Sequence, residues 1–189
     1  MSIRLPKPWN WWLPPKCDME TKKENNFAYI DSQNLHLGVK DMGWILDFKR
    51  FRIYLKEKYH VNQAYVFIGF IGGNQGLYTA LQEYGYVVIF KPVILNEKIE
   101  LIKGNIDADL VLQAMIDFHE NKFDKAIIVS SDGDFYSLVD YLYEKKKLSA
   151  VISPNREKCS SLLRGSAHEK MMYMDNLRGK LEYKRKSTA

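Results

Sequence analysis

Short apolar runs alternate with amphipathic segments along most of the chain, and polar turn residues follow most of the runs. The apolar runs cover residues 27–30, 64–70, 86–90, 127–129 and 148–152. A run of branched residues such as Ile127-Ile128-Val129 is typical of a strand buried on both faces, as in a parallel sheet. Between the runs, apolar residues recur at helical spacing, for example at Phe51 and Leu55 after the helix-capping Asp47. The alternation predicts an α/β fold with a central, mostly parallel sheet and helices on both faces.

The connections between these elements include turns, a loop and one long helix. The polar residues 31–34 after the first strand predict a turn, and the charged segment 91–105 predicts a loop. A helix is predicted from Ile106 to about Phe118. On that helix Asp107 heads the apolar face that packs on the sheet, whereas Asp109 points roughly the opposite way.

The first 26 residues differ in composition from the rest of the chain. They hold four prolines and three tryptophans, followed by a polar stretch. Proline at this density favours an extended, polyproline-like arm. Two interpretations stay open: the arm docks on a protein partner through its tryptophans, or it covers an apolar patch of its own domain. The predicted organisation is therefore an arm over residues 1–26 and one domain over residues 27–186 with a basic C-terminal end.

Composition narrows the class of protein. A chain of 189 residues with 46% hydrophobic residues is long enough for one sizeable core. Its net charge of +5 and pI near 9.0 permit an anionic partner but do not require one. Two cysteines without metal-ligand spacing exclude a disulfide scaffold and a zinc site of the Cys/His type. No apolar run is long enough for a membrane span, so we expect a cytoplasmic protein; its oligomeric state is open, a homodimer included.

Carboxylates follow two of the predicted strands, and a third position heads a helix. Asp31 follows the first strand, Asp132 and Asp134 follow the fourth, and Asp107 begins the helix after residue 105. The carboxyl ends of parallel strands meet at one edge of a sheet, where open α/β folds bind their ligands. Oxygen ligands of this kind suit Mg²⁺ or Mn²⁺, which activate water for attack on phosphate. Polar side chains that would orient the carboxylates are those of Asn34, Ser130 and Ser131.

Each carboxylate also has a structural explanation. Asp107 and Asp132 are suitable helix N-caps, and residues 31–34 are suitable for an Asx turn. Capping does not explain why Asp134 stands beside Asp132, nor why the strand-Asp pattern recurs at Asp31. The carboxylates considered together therefore favour a metal site.

Three segments resemble the signatures of the NYN domain, a branch of the PIN-like ribonuclease superfamily, in its LabA-like bacterial form. They are Ile30-Asp31-Ser32-Gln33-Asn34-Leu35, Lys103-Gly104-Asn105-Ile106-Asp107-Ala108-Asp109-Leu110 and Val129-Ser130-Ser131-Asp132-Gly133-Asp134-Phe135. The resemblance implies a Rossmann-like three-layer α/β/α sandwich and a metal-dependent site that acts on RNA. It implies metal binding by four acidic positions, Asp31, Asp107, Asp132 and Asp134.

The resemblance also bears on three further residues. Asn34 matches the polar residue that follows the first aspartate of the family, and Ser131 stands where many relatives have glycine. Asp109 is often glutamate in similar sequences, which makes it a secondary candidate for the site. The arm has no counterpart in the family pattern.

These observations predict an endoribonuclease that depends on Mg²⁺ or Mn²⁺ and acts on single-stranded or structured RNA. Asp31, Asp107 and Asp132 would hold the metal, and Asp134 would bind a second ion or position the attacking water. One alternative is an RNA-binding adaptor that does not cut. A small-substrate phosphohydrolase is less favoured, because the first strand lacks the second aspartate, two positions on, of a haloacid-dehalogenase nucleophile motif.

Overall fold

The structure, a computed structural model, describes residues 24–91, 93–95, 101–103 and 106–184. The residues 1–23 of the predicted arm and the last residues of the basic end, 185–186, lie outside this range. The strands are β1 (Asn26–Asp31), β2 (Val61–Gly69), β3 (Val87–Lys91), β4 (Val93–Leu95), β5 (Leu101–Lys103), β6 (Ala126–Val129), β7 (Leu148–Ser153) and β8 (Met171–Tyr173). The helices are α1 (Ser32–Asp41), α2 (Phe48–Tyr59), α3 (Gln75–Glu83), α4 (Ile106–His119), α5 (Tyr136–Glu144), α6 (Ser161–Ala167) and α7 (Arg178–Leu181).

Six of these strands form one parallel sheet in the order β3-β2-β1-β6-β7-β8. Successive residues of β1 face opposite sides of this sheet. Ile30 packs with residues of α1 and α2, whereas Tyr29 packs with residues of α4 and α5. Both residues are fully buried, because helices cover each side. The layers confirm the predicted α/β/α sandwich.

The strand order places a topological switch point beside β1. The chain leaves β1 toward β2 and β3 on one side and later returns to β6 on the other side of β1. In the register of the sheet, Ile30 lies opposite Val129 and Asp31 lies opposite Phe67. The crevice at such a switch point, beyond the carboxyl ends of the strands, is where open α/β sheets bind ligands. Asp31 and the residues that follow Val129 open onto it.

The predicted turn over residues 31–34 was wrong, because α1 begins at Ser32 directly after the strand. Asp31 caps this helix by accepting a hydrogen bond from the backbone N–H of Asn34 at 3.0 Å. Asx and serine residues favour helix N-termini and turns through the same side-chain hydrogen bonds, so the sequence alone does not distinguish them.

The predicted loop over residues 91–105 was also wrong. Within it, Val93–Leu95 and Leu101–Lys103 pair as an antiparallel hairpin that is separate from the main sheet. Both strands contain adjacent apolar residues, a pattern that favours a strand, and the surrounding charges concealed it. The strand β3 moreover extends to Lys91.

Other predicted elements agree with the structure within a few residues. Asp47 caps α2, and Gly85 follows α3 with a φ of 86°, a left-handed conformation that glycine adopts readily. The predicted helix after residue 105 is α4. One refinement concerns residues Gly133–Phe135, which form a 3₁₀ turn ahead of α5. In the part of the chain that the structure describes, no helix is both long and apolar enough to cross a lipid bilayer.

Candidate active site at the carboxyl edge of the sheet

Asp31 is the most deeply buried carboxylate of the predicted set, with a relative exposure of 6%. Its position is fixed from two sides, since it ends β1 and caps α1. In addition to the bond from the Asn34 N–H, its Oδ2 accepts a hydrogen bond from the Ser130 hydroxyl at 3.3 Å. The serine lies on the adjacent chain segment after β6. The carboxylate therefore lies directly at the switch point of the sheet.

The turn after β6 carries the second part of the site. The Ser130 Oγ, besides donating to Asp31, accepts a hydrogen bond from the backbone N–H of Asp132 at 3.1 Å. Asp132 in turn caps the 3₁₀ turn, because its Oδ1 accepts from the backbone N–H of Asp134 at 3.1 Å. One serine hydroxyl thus links the first carboxylate to the turn that bears the other two. The side chain of Asp134 is exposed at the surface.

Asn34 ties α1 to the same turn. Its Oδ1 accepts hydrogen bonds from both the backbone N–H and the hydroxyl of Ser131, each at 2.8 Å. The Ser131 hydroxyl is a donor that glycine lacks, so the serine adds a contact. Asn34 orients the turn through Ser131 and acts on the carboxylates through the backbone.

Asp107 enters from the first turn of α4, the helix that packs on β1 and β2. It lies inside the helix, so its alternative interpretation as an N-cap was wrong. Partial burial raises the pKa of the Asp107 carboxyl, and the negative charges of Asp132 and Asp134 raise it further, while Lys91 opposes them. Charges act on one another in this way only when they lie near each other. The helix α4 also lies against the 3₁₀ turn over Gly133–Phe135, which brings Asp107 toward the aspartates of the β6 turn.

Asp31 is subject to the same repulsion. Burial raises its pKa, the hydrogen bonds from the Asn34 N–H and the Ser130 hydroxyl oppose this, and the charges of Asp107 and Asp132 raise it further. The predicted carboxylates thus lie at one edge of the sheet, where the charged forms of the buried Asp31 and the partly buried Asp107 are destabilised. A cation bound there would relieve the repulsion.

Asp109, two residues after Asp107 on α4, forms an ion pair through its Oδ2 with the Lys91 Nζ at 3.2 Å. Lys91, which also acts electrostatically on Asp107, was not recognised in the sequence as part of the site. It ends β3, and only the strand order of the folded sheet shows that the end of β3 lies beside the start of α4.

Ser160 is a second residue that the sequence did not indicate. Its backbone N–H donates to the Ser131 carbonyl at 3.0 Å. A Cβ on Gly133 would stand 2.6 Å from the Ser160 Oγ and 3.2 Å from its Cβ. The start of α6 therefore packs closely against the turn that carries Asp132 and Asp134, and glycine is required there for the close approach.

The donor chemistry of this edge fits a hard divalent cation. Carboxylate and hydroxyl oxygens are the ligands that Mg²⁺ and Mn²⁺ prefer. Within residues 24–184, omitting the gaps in the description, no three acidic, histidine or cysteine side chains lie close enough to form a complete metal cluster. Mg²⁺ usually keeps several waters and binds through one or two carboxylates, so the donors present are sufficient for a partly hydrated ion.

Comparisons with known proteins agree with this architecture. The family model of the NYN domain matches residues 28–175. A protein of unknown function from Vibrio parahaemolyticus RIMD 2210633, known from a crystal structure, superposes with a TM-score of 0.68 at 21% sequence identity, over 86% of this chain and 99% of that one. At this identity the likeness concerns the fold alone. No curated protein matches the chain, and the LabA-like branch stays a prediction.

Proposed function

The chain belongs to the NYN domain family, and so to the PIN-like superfamily, and we propose that it is a metal-dependent endoribonuclease. The observation that carries the proposal is the placement of Asp31 and Asp132 at the switch point, with Asp31 buried there and hydrogen-bonded to Ser130. Carboxyl groups whose pKa is raised by burial and by neighbouring acidic groups, as for Asp31 and Asp107, are found preferentially at functional sites. Asp31 is held there by Ser130 and Asn34 at a cost that a bound cation would offset.

In this proposal each residue has a distinct role. Asp31, Asp107 and Asp132 would hold a partly hydrated Mg²⁺ or Mn²⁺ ion, directly or through its water ligands, and the ion would polarise the scissile phosphate and lower the pKa of a coordinated water. Ser130 fixes Asp31 relative to the turn. Asp134, which is exposed at the mouth of the site, accepts a hydrogen bond from the attacking water and orients its oxygen toward phosphorus.

The reaction itself is a hydrolysis. The water oxygen forms a bond to phosphorus, and one proton of the water passes to Asp134 or to solvent. The bond from phosphorus to the leaving ribose oxygen breaks, and that oxygen takes up a proton from solvent to become a hydroxyl. In-line geometry is the usual path for phosphoryl transfer, and the protein's contribution is positioning and electrostatics.

A second candidate is an RNA-binding adaptor that does not cut. The observation in its favour is the spacing of the carboxylates, which in the described residues do not approach one another as a closed metal cluster. The same fold serves both binding and cleavage, so fold alone does not decide between them. The overall positive charge is compatible with either.

The deciding experiment is cleavage of labelled single-stranded and hairpin RNA in Mn²⁺, Mg²⁺ or EDTA. Wild type is compared with Asp132→Asn, which retains size and an oxygen acceptor for the Asp134 N–H but removes the charge. Asp140→Asn is the matched control, because Asp140 is an exposed aspartate on α5, outside the site. We expect cleavage by wild type and Asp140→Asn in Mn²⁺ or Mg²⁺, and none in EDTA or by Asp132→Asn.

Two outcomes would contradict the proposal. Cleavage that persists in EDTA and in Asp132→Asn would show that another centre, or a contaminant, does the cutting. RNA binding by wild type with no cleavage in any metal would favour the adaptor.

A further inference from the structure

Three aromatic residues form a cluster at the carboxyl ends of β2 and β3, which we call the aromatic platform: Phe70, Tyr78 and Phe90. The Tyr78 ring lies 4.7 Å from that of Phe90 and 5.8 Å from that of Phe70, measured between centroids, and the rings of Phe70 and Phe90 are 5.7 Å apart. Phe70 and Phe90 are 43% and 39% exposed. Ile71 and Leu77 extend this apolar surface with 54% and 40% exposure. A contiguous exposed patch of this kind is typical of a binding site.

Tyr78 and its hydrogen bonds fix the position of the aromatic platform. Tyr78 itself is only 6% exposed, and its hydroxyl accepts a hydrogen bond from the Ile71 N–H at 2.8 Å. The same hydroxyl lies within hydrogen-bond distance of the carbonyls of Gly69 and Ile71, at 3.3 and 3.2 Å. The rings of Phe70 and Tyr78 are stacked with an interplanar angle of 28°. Tyr78 therefore packs against the Phe70 ring, much of which stays exposed to solvent.

The aromatic platform lies along the same carboxyl edge of the sheet as the acidic site, at the ends of the strands next to β1. The Phe70 N–H donates to the Lys91 carbonyl at 3.1 Å, and the Lys91 Nζ contacts Asp109 on the first turn of α4. In the sheet register Asp31 lies level with Phe67, so Phe70 is three residues further along the neighbouring strand, about 10 Å. A polymer chain bound at Asp31 and Asp107 would cross the ends of β2 and β3 within a few units.

We propose that the aromatic platform is a stacking subsite for unpaired bases of the RNA strand whose phosphate lies at the acidic site. This inference rests on the proposed function for the identity of the polymer. Stacking on exposed rings needs a base with a free face, and the bases of a duplex are already stacked on one another. The platform therefore selects single-stranded RNA, or the unpaired loop of a hairpin, over a continuous duplex.

The test is a binding measurement in which cleavage plays no part. Fluorescence anisotropy in Mg²⁺ is recorded for a labelled single-stranded decamer RNA, with all variants in the Asp132→Asn background. Phe70→Ala and Phe90→Ala remove one ring each, and Phe70→Trp restores a stacking surface. Tyr183→Ala is the matched control, because Tyr183 is a 54% exposed aromatic residue beyond α7. Thermal unfolding of each variant checks that the fold is intact.

We expect each alanine variant to weaken binding of the decamer about 5- to 100-fold, because stacking on one aromatic side chain contributes that much per base. Phe70→Trp and Tyr183→Ala should bind as the background protein does. A decamer with abasic sites should bind weakly to the background protein and lose little more on Phe70→Ala. The affinity of a duplex of the same length should be unchanged by Phe70→Ala or Phe90→Ala.

Equal affinity of the decamer for the background protein and both alanine variants would overturn the inference, as would an abasic decamer that binds as tightly as the intact one. Either result would show that bases do not stack on the aromatic platform. These outcomes do not depend on whether the proposed function is correct. The protein could cleave RNA with metal and Asp132 although the aromatic platform binds no base. Equally, it could bind RNA through its bases and never cleave it.

Discussion

Two buried aspartates of this fold, Asp117 and Asp31, are stabilised in opposite ways. Asp117 on α4 has no exposed surface, yet several side chains compensate its charge. Its carboxylate accepts hydrogen bonds from the Tyr29 hydroxyl at 3.0 Å and from the Gln113 amide at 3.0 Å, and it pairs with the Lys122 ammonium at 3.2 Å. Burial of this charge is compensated within the chain itself.

Asp31 is nearly as buried but has weaker compensation. Its partners are one backbone N–H and one serine hydroxyl at 3.3 Å, and none of the ion pairs found among the described residues includes it. Its charged neighbours are Asp107 and Asp132, which repel it. The charge of Asp117 is therefore compensated within the chain, whereas that of Asp31 is not, and under the proposed function a bound cation would compensate it.

The largest expected effect is on catalysis. Asp31→Asn should lower the rate of metal-dependent RNA cleavage at least about 100-fold, more than the loss usual for an outer-shell partner of a metal site. The free energy of unfolding at pH 7 should stay the same or rise, because the amide keeps an oxygen acceptor and removes a repelled charge. Cleavage assays and urea unfolding measure the two. If Asp31→Asn cleaves RNA at the normal rate, or is unfolded, then Asp31 does not differ from Asp117 in the proposed way.

The converse is expected at Asp117. Asp117→Ala leaves the Tyr29 hydroxyl buried without its acceptor and should lower the free energy of unfolding by about 3 kcal/mol. Any residual folded protein should cleave RNA at the normal rate. Lys122→Ala is a milder companion, because the lysine side chain is 45% exposed and its loss leaves the other hydrogen bonds of Asp117 in place. Urea unfolding of both variants measures the effect, and a catalytic defect in a folded Asp117→Ala protein would contradict it.

The same contrast explains which parts of the molecule could be predicted from sequence. Branched apolar runs that end in carboxylates predicted the sheet and placed Asp31 and Asp132 at its carboxyl edge, because these signals are local. Asp117 gave no signal, since an aspartate on a helix is normally solvated and its partner Tyr29 lies on a distant strand. Lys91 also gave none, because its proximity to Asp107 and Asp109 follows from strand order.

Local ambiguity accounts for the two wrong elements. Asp31 and Ser32 are turn formers that also start helices, and the choice depends on whether the following residues pack, as Leu35 and Val39 of α1 do against the sheet. In the segment 91–105 the apolar pairs that form the hairpin were hidden among charged residues. In both cases tertiary packing, which no local pattern records, determines the outcome.

The next smaller effect is expected in the stabilisation of the folded protein by a bound metal ion. Mn²⁺ at about 100 times its dissociation constant should raise the free energy of unfolding of wild type by about 2.7 kcal/mol, because it binds the folded state only. Asp31→Asn should lose most of this increment, whereas Lys122→Ala should keep it. Thermal unfolding with and without Mn²⁺ reports it directly. An equal increment in Asp31→Asn would place the ion elsewhere.

A still smaller effect, on both stability and cleavage, is expected from the close approach of α6 to the turn that carries Asp132 and Asp134. Gly133→Ala places a methyl group against Ser160 and should cost about 1 to 2 kcal/mol of stability, with a loss of cleavage as the turn shifts. Ser160→Gly in the same chain removes both atoms in the way and should restore much of the activity. The double-mutant cycle measures this coupling, and additive losses would show that the two residues do not touch in solution.

The smallest effect is a pH dependence of stability, and its sign is informative. The pKa of Asp31 lies above its usual value of 3.8, chiefly because of burial. A carboxyl group of this kind binds its proton more tightly in the folded protein, so its ionisation reduces stability as the pH rises from about 4 through the raised pKa. Asp31→Asn does not ionise there. In EDTA, the free energy of unfolding of the variant minus that of wild type should therefore increase over this window and then level off. Asp140→Asn, the control, should show no such increase. A difference that falls with rising pH would mean that the fold stabilises the Asp31 charge, and the contrast with Asp117 would be lost.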